Sequence, residues 1–68
     1  MRKIKYTDGE KLKIIRHNLL LEQYVMAVKL GINPTLLSKY ERGHRVVPTK
    51  IMDKAHRMLD DAGHRIEL

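Results

Sequence analysis

The chain has 68 residues, enough for one small domain with a single modest core and no second layer. It has no cysteine, which excludes disulfides and thiolate zinc sites, and no apolar run approaches the ~18 residues of a membrane span. Fourteen Lys and Arg against eight Asp and Glu give a formal net charge of +6, which favours polyanionic partners, nucleic acid ahead of an anionic membrane.

In chain order, the N-terminus MRKIKY lacks the apolar stretch of a secretory signal, so a soluble, cytoplasmic protein without membrane contact is expected. Arg2 to Tyr6 alternates polar with apolar, as a half-buried strand does, and residues 1–7 read as an arm or strand. Thr7-Asp8-Gly9-Glu10 has the spacing of a capping box, with Thr7 as N-cap and Glu10 three residues on. Leu12, Ile15 and Leu19, with Ile14 or Arg16 alongside, continue at helical periodicity, which predicts a first helix from about Asp8 to Leu19.

A second helix covers roughly Glu22 to Leu30 and stops at Gly31, a residue that accepts the left-handed conformation of a helix end. Asn33 can cap a new helix and Pro34 suits its first position, where the missing N–H has no partner to lose. Only Ile32 lies between stop and start, so the two helices must cross steeply, and the small Ala27 permits their close approach. Met26, Leu30, Ile32, Leu37 and Tyr40 supply the apolar seam. The third helix, residues 33–42, ends at Gly43, and the loop His44 to Val47 leads to Pro48 or Thr49, which opens a fourth. Ile51, Ala55, Met58 and Leu59 form its buried stripe with Met52 at the flank, and Gly63 ends it. The tail, residues 63–68, alternates again, so the two termini can pair as a small two-stranded ribbon around a helical core of residues 8–62.

These residues resemble the Xre/Cro family of phage and bacterial repressor DNA-binding domains. The matching positions are Gln23, Ala27, Lys29-Leu30-Gly31-Ile32, Leu37-Ser38, Tyr40-Glu41-Arg42-Gly43, Pro48 and Ala55, within a span from about Glu10 to Leu59. The resemblance implies an all-α, compact four-helix helix-turn-helix domain, lambda-repressor-like, that regulates transcription by binding operator DNA, often as a homodimer on paired half-sites. The third helix would then lie in the major groove with its N-terminal residues at the base edges.

On that reading, Asn33, Pro34, Thr35, Ser38 and Lys39 are the base-reading candidates, with Lys39 able to reach guanine O6 or N7 or, equally, to contact a phosphate or stay solvated. The resemblance also makes Gln23 a backbone contact or a brace for a base reader, and places Arg42, His44 and Arg45 where the family's loop meets phosphates. Arg42 has a structural alternative, capping carbonyls at the helix end while Glu41 pairs with a neighbouring base. From Lys39 to Lys50 four Lys and Arg oppose Glu41 alone, a local +3.

The chain departs from the family pattern at several places. Glu22 stands where a Thr or Ser cap is usual and brings a carboxylate to a phosphate-facing helix start. Pro34 replaces a polar base reader, and the loop from Gly43 to Pro48 is one residue longer than is common. Tyr24, Val25 and Val28 replace polar residues and leave helix two apolar nearly all round, the mark of an interaction surface. A second function class follows: a protein-interaction module, such as an antirepressor, adaptor or antitoxin, that grips a protein partner through this face. With the sequence read to Leu68, the family's C-terminal dimerisation helix is not expected, which leaves a homodimer through terminal strands or apolar helix faces, or a monomer that binds weakly or cooperatively with another protein. His17, His44, His56 and His64 show no HxxxH spacing, and there is no Gly-rich phosphate loop. Catalysis, a metal and a cofactor are therefore not expected.

Overall fold

The computed structural model describes residues 5–64. Four helices follow in order, α1 (Asp8–Asn18), α2 (Gln23–Leu30), α3 (Pro34–Glu41) and α4 (Thr49–Asp61), and among the described residues there is no strand. The fold is a compact all-α four-helix arrangement. The expected terminal ribbon falls on residues 1–4 and 65–68, outside the described residues; Lys5, Tyr6 and His64, the described parts of its two segments, are not in strands.

Local chemistry marks some helix ends and not others. Thr7 caps α1 through a complete capping box: Oγ1 of Thr7 accepts from the Glu10 N–H at 3.2 Å while Oε1 of Glu10 accepts from the Thr7 N–H at 2.9 Å. Asn33 caps α3 through Oδ1, which accepts from the Thr35 N–H at 2.7 Å, with Pro34 at the first position. Glu22 and Pro48 precede α2 and α4 without a side-chain cap. Gly31 ends α2 at φ 74°, in the left-handed region that a Cβ would disfavour. Leu20, at φ 57°, takes the same conformation after α1 without glycine's freedom and at 91% exposure.

Among the helices, α1 rests on α3 and α4, and α2 rests on the same two. The core consists of Leu12 and Ile15 of α1; Met26, Ala27 and Leu30 of α2; Leu37 and Tyr40 of α3; and Ile51, Met52, Ala55 and Leu59 of α4, closed by Val47 from the loop. Leu12, Ile15, Met26 and Leu37 have no exposed surface, and each contributes about 1.5–3 kcal/mol of burial free energy. On α4 the stripe differs slightly from expectation, with Met52 inside the core and Met58 packed only partly against it. Val47, read as a loop residue, is an anchor.

Gly9 explains how α1 and α3 approach so closely. A Cβ at Gly9 would overlap the backbone carbonyl of Tyr40, so the second residue of α1 has to be glycine for the end of α3 to lie against it. No helix of the described residues is long and apolar enough to cross a membrane.

Candidate functional site

Helix α3 divides into two faces. Leu37 and Tyr40 are buried and Leu36 is half-buried, whereas Pro34, Thr35, Lys39 and Arg42 are exposed and Ser38 is partly so. Positions 34, 35, 38, 39 and 42 follow helical spacing and form one outward stripe, preceded by the exposed cap Asn33. All five base-reading candidates of the sequence therefore lie together on or beside one surface. Arg42 at the C-cap of α3, and His44 and Arg45 beyond it, are exposed as well.

The charge of this surface depends on a polar cluster beneath it. Glu41 turns inward, where its Oε2 accepts from Arg16 Nε at 2.8 Å and its Oε1 accepts from Arg16 Nη2 at 3.0 Å. Gln23 Nε2 donates to the same Oε1 at 3.1 Å, and Arg16 Nη1 donates to the Leu21 carbonyl at 3.1 Å. Only 13% of the Arg16 side chain and 4% of the Glu41 side chain are exposed. The fork-to-carboxylate geometry supplies the hydrogen bonds that a pair so removed from water requires. It ties the end of α1, the start of α2 and the end of α3 to one another.

This arrangement bears on three readings. The base that pairs with Glu41 is Arg16, distant in sequence, and the Arg42 side chain is left exposed. Gln23, placed at the start of α2 as expected, is half-buried and donates to Glu41. Arg16, which helical spacing left interchangeable with Ile14, holds the cluster; its signal was a basic residue on the inner side of an amphipathic helix, legible only once Glu41 is known to face it. With Glu41 neutralised, the exposed cations Lys39, Arg42, Arg45 and Lys50 have no opposing carboxylate in their own stretch, since the Arg16–Glu41 bridge is the one ion pair among the described residues.

Around this stripe the surroundings vary. The loop folds over the start of α1 to leave a shallow cleft of about 320 Å³ lined by Asp8, Gly9, Tyr40, His44 and Arg45, among others. Glu22 is exposed at the start of α2, so the first N–H groups of that helix keep no side-chain cap and stand beside a carboxylate. On the outer side of α2, Tyr24 is 59% and Val28 72% exposed. Val25, expected to join them, is half-buried, so the apolar patch is narrower than the sequence suggested. Among the described residues no three His, Cys, Asp or Glu side chains come together to hold a metal ion. Compared with family models, curated proteins and solved structures, the chain matches none of them.

Proposed function

We propose that this chain is a helix-turn-helix domain of lambda-repressor-like architecture and acts as a sequence-specific transcriptional regulator of repressor type, placing α3 in the major groove of duplex DNA. The observation that carries this reading is the outer stripe of α3. A short helix follows another across Gly31, Ile32 and Asn33, and apart from Pro34 its outer face is polar or basic while its single carboxylate is held in an ion pair inside.

On this reading, Lys39 and the first turn of α3 meet base edges, while Arg42, His44 and Arg45 meet phosphates. Bringing several cations against the backbone releases condensed counterions, so affinity falls steeply with salt. The uncapped N–H groups at the start of α2 are a second place for a phosphate, opposed by the carboxylate of Glu22. The exposed pair Tyr24 and Val28 supports a second reading, a protein-interaction module in which α2 grips a partner or a second copy.

Fluorescence anisotropy with the DNA flanking the chain's own coding sequence and a scrambled duplex, at two salt concentrations, tests the proposal. A preference of about ten-fold, roughly 1.4 kcal/mol, that disappears in Lys39→Ala is the expected result. Equal, weak, salt-sensitive binding to both duplexes refutes sequence reading and transfers the function to the α2 surface.

A further inference from the structure

The hydrogen-bonding polarity of the α3 surface is one-sided. Lys39 and Arg42 carry N–H donors and no acceptor. Glu41, the only carboxylate of the helix, already accepts three hydrogen bonds from Arg16 and Gln23 and is nearly sealed from water. Asn33 is the one amide on the surface, and its Oδ1 is fixed to the Thr35 N–H at 2.7 Å. An asparagine reads adenine by presenting its oxygen to N6–H and its nitrogen to N7 at once. A carbonyl committed to capping its own helix cannot swing round to do so, and releasing it would leave the helix start without its cap. The acceptors that remain are the hydroxyls of Thr35 and Ser38, each a single atom that donates as readily as it accepts. Beside them, the exposed Pro34 and the methyl group of Thr35 offer apolar contact.

Resting on the DNA-reading proposal above, we infer that α3 selects a base edge of acceptors and methyl groups. Lys39 takes guanine O6 and N7, Pro34 and Thr35 take thymine C5-methyl groups, and the amino groups of adenine and cytosine are rejected opposite Lys39. Rejection has a physical source. An amino group opposite Lys39 sets donor against donor, and both lose water without gaining a partner. Asn33 is then a positioning residue, present for the cap, and its amide carries no sequence information. Arg42, at the far end of the helix, stays with the phosphates.

Selection from a randomised duplex library by the wild-type chain, followed by anisotropy on the enriched duplex, tests this inference. The enriched site is expected to contain guanine and thymine at the positions facing α3. Replacing those thymines by deoxyuridine removes the methyl groups, and replacing the guanine by 7-deazaguanine removes an acceptor; each should weaken binding several-fold, up to about ten-fold for the guanine contact. Lys39→Gln supplies one donor and one acceptor on a shorter arm and is expected to move the preferred base from guanine to adenine. Asn33→Ser keeps a cap and removes the amide, so its enriched site should match the wild type's. An enriched site that centres on adenine and changes in Asn33→Ser, or one indifferent to both modified bases, overturns the inference and leaves the DNA-reading proposal standing. Binding with no enriched sequence overturns both.

Discussion

Helices α2 and α3 are each eight residues long, share one turn and bury similar inner stripes, Met26, Ala27 and Leu30 on one and Leu37 and Tyr40 on the other. Their outer faces differ completely. On α3 the exposed positions after Pro34 are polar or basic and the helix start is capped by Asn33; on α2 they include Tyr24 and Val28, and the start has no side-chain cap. Inner stripes are dictated by packing and leave little freedom, whereas an outer face is constrained only by what it meets. The contrast therefore carries functional information that the shared core does not. It also depends on Glu41, because a carboxylate on the outer side of α3 would cancel one of the cations there. The Arg16–Glu41 pair thus separates the two faces chemically as well as joining three helices.

Removing Arg16 tests that dependence most severely. Arg16→Ala leaves a 4%-exposed carboxylate with only Gln23 as partner and should cost about 3–5 kcal/mol, read as a fall in the urea midpoint. The paired substitution Arg16→Met with Glu41→Leu should recover much of that loss, because two apolar side chains of similar volume need no charge compensation. A single variant as stable as wild type would show that Glu41 escapes to water, and the polarity of α3 would then need another origin.

Gly9→Ala attacks the same helix from below. The added methyl must displace the Tyr40 carbonyl, which accepts from the Gly43 N–H at 3.1 Å, so the end of α3 and its loop both have to shift. A backbone atom cannot swing aside as a side-chain tip does, and the expected loss is about 2–3 kcal/mol. Thermal unfolding measures it. An unchanged midpoint would mean that α1 and α3 are less closely seated than the structure has them.

The helices and most of the core were legible in the residues because their signals are local. A capping box, a Gly stop, an Asn-Pro start and a period of 3.6 residues each act within a few positions, and Thr7, Gly31, Asn33 and Pro34 all serve as read. Gly9, Arg16 and Val47 were not legible in that way, since each matters through a partner distant in sequence: the Tyr40 carbonyl, Glu41 and the core. Leu20 escaped for a different reason, because nothing in its neighbourhood marks a leucine for a left-handed backbone. The outward stripe of α3 was visible as a set of candidates, but the inward turn of Glu41, and with it the full charge of the stripe, required the fold.

Glu22→Ser would narrow the difference between the two helix starts. Serine can accept from the open N–H groups of α2 and should stabilise the chain by about 1 kcal/mol, less a few tenths for the lost interaction of the carboxylate with the helix dipole. The same change removes a negative charge from a proposed phosphate position, so duplex binding at low salt should tighten alongside the gain in stability. Stability gained with no change in affinity would place the start of α2 away from the DNA.

The smallest effect concerns α1, the helix whose start is capped most completely. Hydrogen bonds from the Thr7 backbone N–H and then the Thr7 side chain hold the Glu10 carboxyl below its ordinary value. A carboxyl depressed in the folded state binds its proton more weakly there than in the unfolded chain. Its contribution is therefore complete above the unfolded value and is lost as the pH falls through the folded one. Glutamine preserves the hydrogen bond of a capping box without the charge, so Glu10→Gln should be slightly less stable than wild type near neutral pH. In acid the two urea midpoints should converge. Because Glu10 is exposed and next to solvent, the convergence should be smaller at high salt, where the helix dipole is screened. A gap that persists unchanged through the acid range would assign the stabilisation to side-chain geometry instead of charge, and the contrast between capped and uncapped helix starts would then be one of hydrogen bonding alone.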